Sequence, residues 1–190
     1  MATATSTLTT TGTRTTWQID PGHTLIEFSA KHMMVSTVKG TFNGVAGTIL
    51  LDESDFTKSD VDVTIESTTL ESRAAQRDAH LRSVEFLHVE EHPAITFRST
   101  RITSKGGDRY EVTGDLTIKG VTHEVVLDTD YEGRNTSPWG AQVIGFSATT
   151  RIKRKDFGLV WNVALESGGV LVGEEVKITL SIEAVAQAAA

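Results

Sequence analysis

The chain has 190 residues, 38% of them hydrophobic and 6% aromatic, enough for one domain with a substantial core. A formal net charge of -7 argues against nucleic acid as a partner and against capture on anionic lipid by bulk charge. With no cysteine, disulfides and thiolate chemistry are excluded.

In chain order, Met1 to Thr16 is almost all Thr, Ala and Ser. It carries Arg14 but no apolar run, so residues 1–16 read as a disordered tail and the protein as cytoplasmic, not secreted. No stretch approaches the roughly 20 apolar residues of a membrane-spanning helix, so no stable membrane insertion is expected. Trp17–Asp20 then reads as a lead-in strand stopped by Pro21-Gly22. Eight longer strands are predicted near 23–33, 39–51, 59–68, 94–102, 109–119, 122–132, 141–153 and 174–186.

The clearest strand alternates Tyr110, Val112, Gly114, Leu116 and Ile118 with Glu111, Thr113, Asp115, Thr117 and Lys119. Successive strand side chains point to opposite faces, so this pattern makes one wet face and one hidden face. Eight such strands hide those faces most simply by closing on themselves. The fold class is therefore all-β, an eight-stranded antiparallel barrel. Gly106-Gly107-Asp108 and Lys119-Gly120 supply the positive-φ positions of tight hairpins, and Gly133 to Gly140 reads as a broader loop. Gly44 and Gly47 interrupt the second strand, where a bulge is expected.

The connection between the third and fourth strands is too long for a hairpin. Thr68 and Glu71 have capping-box spacing, predicting a helix that starts there with Leu70, Ala74 and Leu81 on one face. Such a crossover can cap a barrel mouth and cover an open edge.

Few residues carry a chemical signal. His32 shares a strand face with Ile26, Phe28 and Ala30, making it an inward polar group that needs a protein, water or ligand partner. Arg73, Arg77, His80 and Arg82 could meet an anion, with internal pairing to Asp78 as the competing reading. Alternation sends Arg151, Lys153 and Lys155 to the wet face and leaves Arg154 in phase with Ile152. His80, His88 and His92, with seven and three residues between them, match no common zinc pattern, so no metal is expected. No nucleophile elbow, phosphate loop or dinucleotide fingerprint is present, so neither cofactor nor enzymatic activity is expected.

Four segments in order carry a family resemblance: Trp17 to His23 with Phe28 and His32, Arg77 to Ser83, Gly114 to Thr122, and Lys155 to Gly158. Together they resemble the YceI-like family of bacterial lipid-binding proteins over residues 17–186, defining a barrel domain of 17–187. The resemblance implies an extended, lipocalin-like barrel whose tunnel holds a polyisoprenoid or similar long-chain amphiphile. It supplies no catalytic residues.

The geometry suits that ligand class. Strands of about eleven residues rising roughly 3.3 Å each, once tilted, span about 25–30 Å. Each buried methylene gains roughly 0.8 kcal/mol over water, but an isoprenoid already sits in a membrane, so transfer is nearly balanced and head-group contacts decide selectivity. The expected lining is Ile26, Phe28, Val63, Ile65, Phe97, Leu116, Ile118, Phe146, Ile178 and Leu180, with His32 and Arg154 toward polar groups. Two alternatives stand beside this carrier. One is a cavity isomerase or hydrolase using His32, for which the strand phases offer no inward carboxylate. The other is a filled barrel acting as a stress or scaffold protein. A homodimer would shield a barrel mouth or edge, and no residue pattern specifies one.

Overall fold

The computed structural model describes residues 14–166 and 168–187. Among them eleven strands form one sheet: β1 (Arg14–Ile19), β2 (Leu25–His32), β3 (Ser36–Phe42), β4 (Val45–Asp52), β5 (Asp60–Glu66), β6 (Leu70–Glu71), β7 (Ala94–Gly106), β8 (Arg109–Ile118), β9 (Val121–Thr136), β10 (Gln142–Lys153) and β11 (Val172–Ala186). One helix, α1 (Ala75–Arg82), lies between β6 and β7. β1 pairs with β4 on one side and β11 on the other. This closes a ring of eight antiparallel strands in the order β1–β4–β5–β7–β8–β9–β10–β11.

The remaining three strands prolong walls of this ring. Near its C-terminus β11 pairs with β1, at Ala184 to Ala186, and over its earlier part with β2, from Val172 to Ser181. β1 and β2 are thus two halves of one wall, parted at Pro21, which has no N–H for a ladder. β3 pairs with β2 as β4 does with β1, and β6 continues β5. The irregularity expected as a bulge at Gly44 and Gly47 is therefore a break at Asn43-Gly44, where one wall splits into β3 and β4. Gly47 stays in register opposite Val63, and a Cβ there would lie 2.6 Å from the Asp62 carbonyl oxygen, so close backbone approach explains it.

Three further expectations are corrected. β1 begins at Arg14, inside the predicted tail, because Thr15 and Thr16 pair with Leu51 and Leu50, and Arg14 donates to Asp60 at 2.9 Å. The rest of that tail, 1–13, lies outside the described residues. The capping box at Thr68 does not form. Leu70 is buried in β6 opposite Phe42, and the helix starts only at Ala75, with the Asp78 carboxylate accepting from the Ser72 N–H. Burial of one leucine in the barrel outweighs a local helix signal worth about 1 kcal/mol. β9 also runs through Gly133 to Thr136, shortening the broad loop to 137–141.

The crossover covers an edge, as such a segment can. β6 pairs only with β3, and Arg82 reaches from α1 to the Thr68 (3.0 Å) and Leu70 carbonyls beside it. Both predicted glycine turns hold, with φ of +93° and +60° at Gly106 and Gly107 and +50° and +74° at Lys119 and Gly120. No helix among the described residues is long and apolar enough to cross a membrane.

Candidate ligand cavity

The inward faces do not meet. They surround a cavity of about 270 Å³ whose wall comes from every strand of the ring and from the β2, β3 and β6 extensions. Of the residues expected to line it, Ile26, Phe28, Val63, Ile65, Phe97, Leu116, Ile118, Phe146, Ile178, Leu180 and Arg154 do so. So do Tyr110 and Val112, completing the inward face of β8. On the other face Asp115 is exposed, but Thr113, expected to be wet, is buried at 3% beside the Ser99–Arg101 irregularity of β7.

Two glycines keep the lumen open. A Cβ on Gly40 would lie 2.4 Å from Cζ of Phe28, and one on Gly114 would lie 2.5 Å from Cζ of Phe97. Each ring fills the space a neighbouring side chain would have taken, which makes these phenylalanines part of the wall. Phe146 is held by Tyr131, at a centroid distance of 5.6 Å.

His32 does not belong to this wall. It is the last residue of β2, opposite Val172 and Ser36, and Ala30 is the last side chain in its phase to line the cavity. The alternation placed His32 on the correct face, but the strand ends before that face matters.

Arg154 reaches the cavity in the phase the alternation gave it, with Ile152 and Arg154 buried and Arg151, Lys153 and Lys155 exposed. β10 ends at Lys153, a short 3-10 turn follows at Arg154–Phe157, and the Arg154 side chain is 2% exposed. Its guanidinium donates to the carbonyls of Gly173 (2.9 Å), Trp161 (2.8 Å), Val172 (3.4 Å) and Leu159. Burial lowers its pKa from the ordinary guanidinium value, and the charge of Glu174 opposes that shift. Four carbonyls satisfy the donors of this buried cation, and no carboxylate hydrogen-bonds to it among the described residues. Burial also raises the Tyr110 pKa, helped by the charges of Asp108 and Asp55, so the phenol stays protonated. Glu27 reaches the lining too, but its carboxylate pairs with Lys39 at 2.9 Å.

The crossover caps one barrel mouth at the Arg154 end, as expected of it, although strand periodicity does not single out the side chains that do so. Phe86 and Leu87, after α1, and Leu159, after the 3-10 turn, lie in connections where no period of two applies. Above them His80, Phe86 and Trp161 form an aromatic cluster, with His80 4.5 Å from Trp161 and 5.0 Å from Phe86. The signals available were the length of the crossover, which marks it as a mouth-capping segment, and two aromatics in long connections.

Most of the remaining charged candidates make structural contacts. Arg77 donates to the Ser72 hydroxyl (2.7 Å) and carbonyl, and Arg82 to β6, while Asp78 accepts from Ser72 and pairs with neither arginine. Arg151 pairs with Glu175 and Lys155 with Glu174 on the outer surface. Arg73 is exposed.

A closed antiparallel barrel around a carbon-walled cavity places the protein among lipocalin-like barrels. The model of the YceI-like domain matches residues 17–184, and the chain belongs to that family. A UPF0312 protein of Pectobacterium atrosepticum is 40% identical over 165 residues, 87% of this chain and 82% of that protein. The crystal structure of BcnA from Burkholderia cenocepacia matches with a TM-score of 0.75 at 21% identity, covering 87% of this chain and 98% of that one. A polyisoprenoid-binding domain from Saccharophagus degradans, implicated in plant cell wall breakdown, shares the fold with a TM-score of 0.64 at 11% identity, over 90% and 98% of the two chains.

Proposed function

We propose that the barrel binds a long-chain amphiphile, a polyisoprenoid or similar lipid, and carries or stores it without chemical change. The cavity supports this reading most. At about 270 Å³ it is far larger than a packing defect and lies near the lower end of the roughly 300–1,000 Å³ range of ligand pockets. A void costs about 24 cal/mol per Å³, so leaving 270 Å³ empty would forgo about 6 kcal/mol, comparable to a domain's whole net stability. That cost favours an occupant over a permanently empty lumen, and the void itself counts against a filled scaffold. A wall of aliphatic and aromatic carbon selects an apolar chain. Arg154, a buried cation held by neutral carbonyls, is the polar group the ligand head would meet.

Its likeness in fold to a polyisoprenoid-binding domain agrees with this ligand class. Native mass spectrometry after gentle purification, followed by refolding with a ladder of prenyl alcohols and fatty acids, tests the proposal. A single bound chain is expected, with uptake peaking at one length. Failure to take up any chain of any length would leave the barrel without this function.

A further inference from the structure

The segment that closes the Arg154 end contains a second feature unrelated to apolar binding. Residues 88–92 form one turn in which the N–H of His92 donates to the His88 carbonyl at 2.8 Å and that of Glu91 to the same oxygen at 3.1 Å. One such turn brings positions i, i+3 and i+4 to one side. His88, Glu91 and His92 therefore converge, with their ligand atoms within 4.8 Å of one another. The turn is fixed on both flanks. Leu87 before it is buried in the cavity wall, and Ser67 donates to the His92 carbonyl at 2.8 Å.

We propose that His88, Glu91 and His92 form a binding site for a divalent transition-metal ion of the zinc class. His88-Val89-Glu90-Glu91-His92 reads H-x-x-E-H, a spacing that zinc sites use, so the expectation of no metal is revised here; Glu91 and the turn make it a ligand set. Tetrahedral zinc with bonds of about 2.0–2.1 Å holds its ligand atoms about 3.3 Å apart. Nδ1 of His88 and a carboxylate oxygen of Glu91 are already 3.2 Å apart. The two rings, with centroids 5.9 Å apart and planes 77° to one another, need only side-chain rotation to share an ion. Two imidazoles and one carboxylate suit zinc, nickel or copper and not magnesium or calcium, which take oxygen ligands. Three protein ligands leave a fourth position open. His88 also holds a φ of +50°, a conformation uncommon for a residue with a Cβ.

A second convergence, Asp20, His23 and Glu183, offers only one imidazole, and that ring already hydrogen-bonds Asp20 at 2.8 Å. It is the internal control. Zinc chloride is titrated into the full, tag-free, chelator-stripped chain while imidazole signals are followed by NMR and heat by calorimetry. One equivalent should bind and shift the signals of His88 and His92, leaving those of His23, His32, His80 and His123 in place. His88→Gln and His92→Gln should each weaken binding by at least about 100-fold, since losing even an outer partner of a ligand costs roughly 10–100-fold. Zinc should also raise the Tm of the wild type, because a ligand bound only by the folded chain stabilises it, and magnesium should not. The proposal is overturned by absence of zinc uptake at millimolar metal, by shifts confined to His23, or by undiminished binding in both folded variants. The wild-type NMR arm decides the matter even where a variant fails to fold.

Discussion

At the end of the barrel where β1 begins, Trp17, Ile144 and Ala184 are 2%, 1% and 0% exposed and pack with Ile49 and Leu51 into a solid plug. Phe56, Tyr131 and Phe146 lean on it, with Phe56 5.7 Å from Tyr110 and 5.3 Å from Tyr131, and Arg134 lies 5.0 Å over the Trp17 ring. At the other end the strands give out into long connections, and the cavity is shut by Phe86, Leu87, Leu159 and the Arg154 clamp. There Met33, Met34, Val35, Val84, Val160 and Val163 also stand exposed in or beside the connections. The first end is closed by side chains on paired strands, and the second by side chains on loops. Strand-borne closure opens only with the sheet, while loop-borne closure can open locally at lower free energy. The loop-closed end is thus expected to open before the strand-closed one.

The comparison can be broken by truncation at each end. Trp17→Ala should cost about 3–5 kcal/mol in denaturant unfolding, because the plug packs around the indole on all sides. Arg154→Met should cost about 2–4 kcal/mol, since it strips donors from the carbonyls of Leu159, Trp161, Val172 and Gly173. It should also speed hydrogen exchange across residues 158–166 before it affects β1. Phe97→Ala should fall below Trp17→Ala, at about 2–3 kcal/mol, because one side of that ring faces the lumen and already lacks neighbours. A bulkier chain in the cavity should recover part of that loss. Equal costs at Trp17 and Phe97, with no recovery by ligand, would mean the barrel is uniformly packed.

Much of this division was legible in the sequence. The β8 alternation from Tyr110 to Ile118 fixed its inward face, because one buried face forces a period of two. Ile178 and Leu180 on β11 followed by the same logic. What escaped was whatever depends on where a strand stops. His32 had the right phase but is the last residue of β2 and lies beyond the lining. Leu70 carried helix spacing yet joined β6, because its partner Phe42 lies 28 positions away and no local window contains both. Phe86, Leu87 and Leu159 are placed by tertiary packing alone.

The smallest effect lies where the wall passes from the filled half to the hollow half, at the corner between β1 and β2. His23 hydrogen-bonds Asp20 there at 2.8 Å and lies 3.7 Å from Glu183. The hydrogen bond to Asp20, followed by the charges of Asp20 and Glu183, raises the His23 pKa above 6.5. The same hydrogen bond leads the causes that lower Asp20 below 3.8. A raised histidine contributes stability that is fully present below 6.5 and lost as pH climbs through its folded value. A lowered carboxyl contributes stability present above 3.8 and lost as pH falls through its folded value. The pair therefore holds the corner fully between those two ordinary values and loosens on either side. His23 is solvent-exposed, so screening keeps the effect on global unfolding slight. An NMR titration should find His23 titrating above 6.5 in the wild type and dropping toward 6.5 in Asp20→Asn, with the difference shrinking in high salt. A wild-type His23 that titrates at or below 6.5 would show the corner to be held without this imidazole, through the Asp20 N–H to Glu183 carbonyl bond of 2.9 Å and the Gly22 N–H to Asp20 carboxylate bond of 2.8 Å.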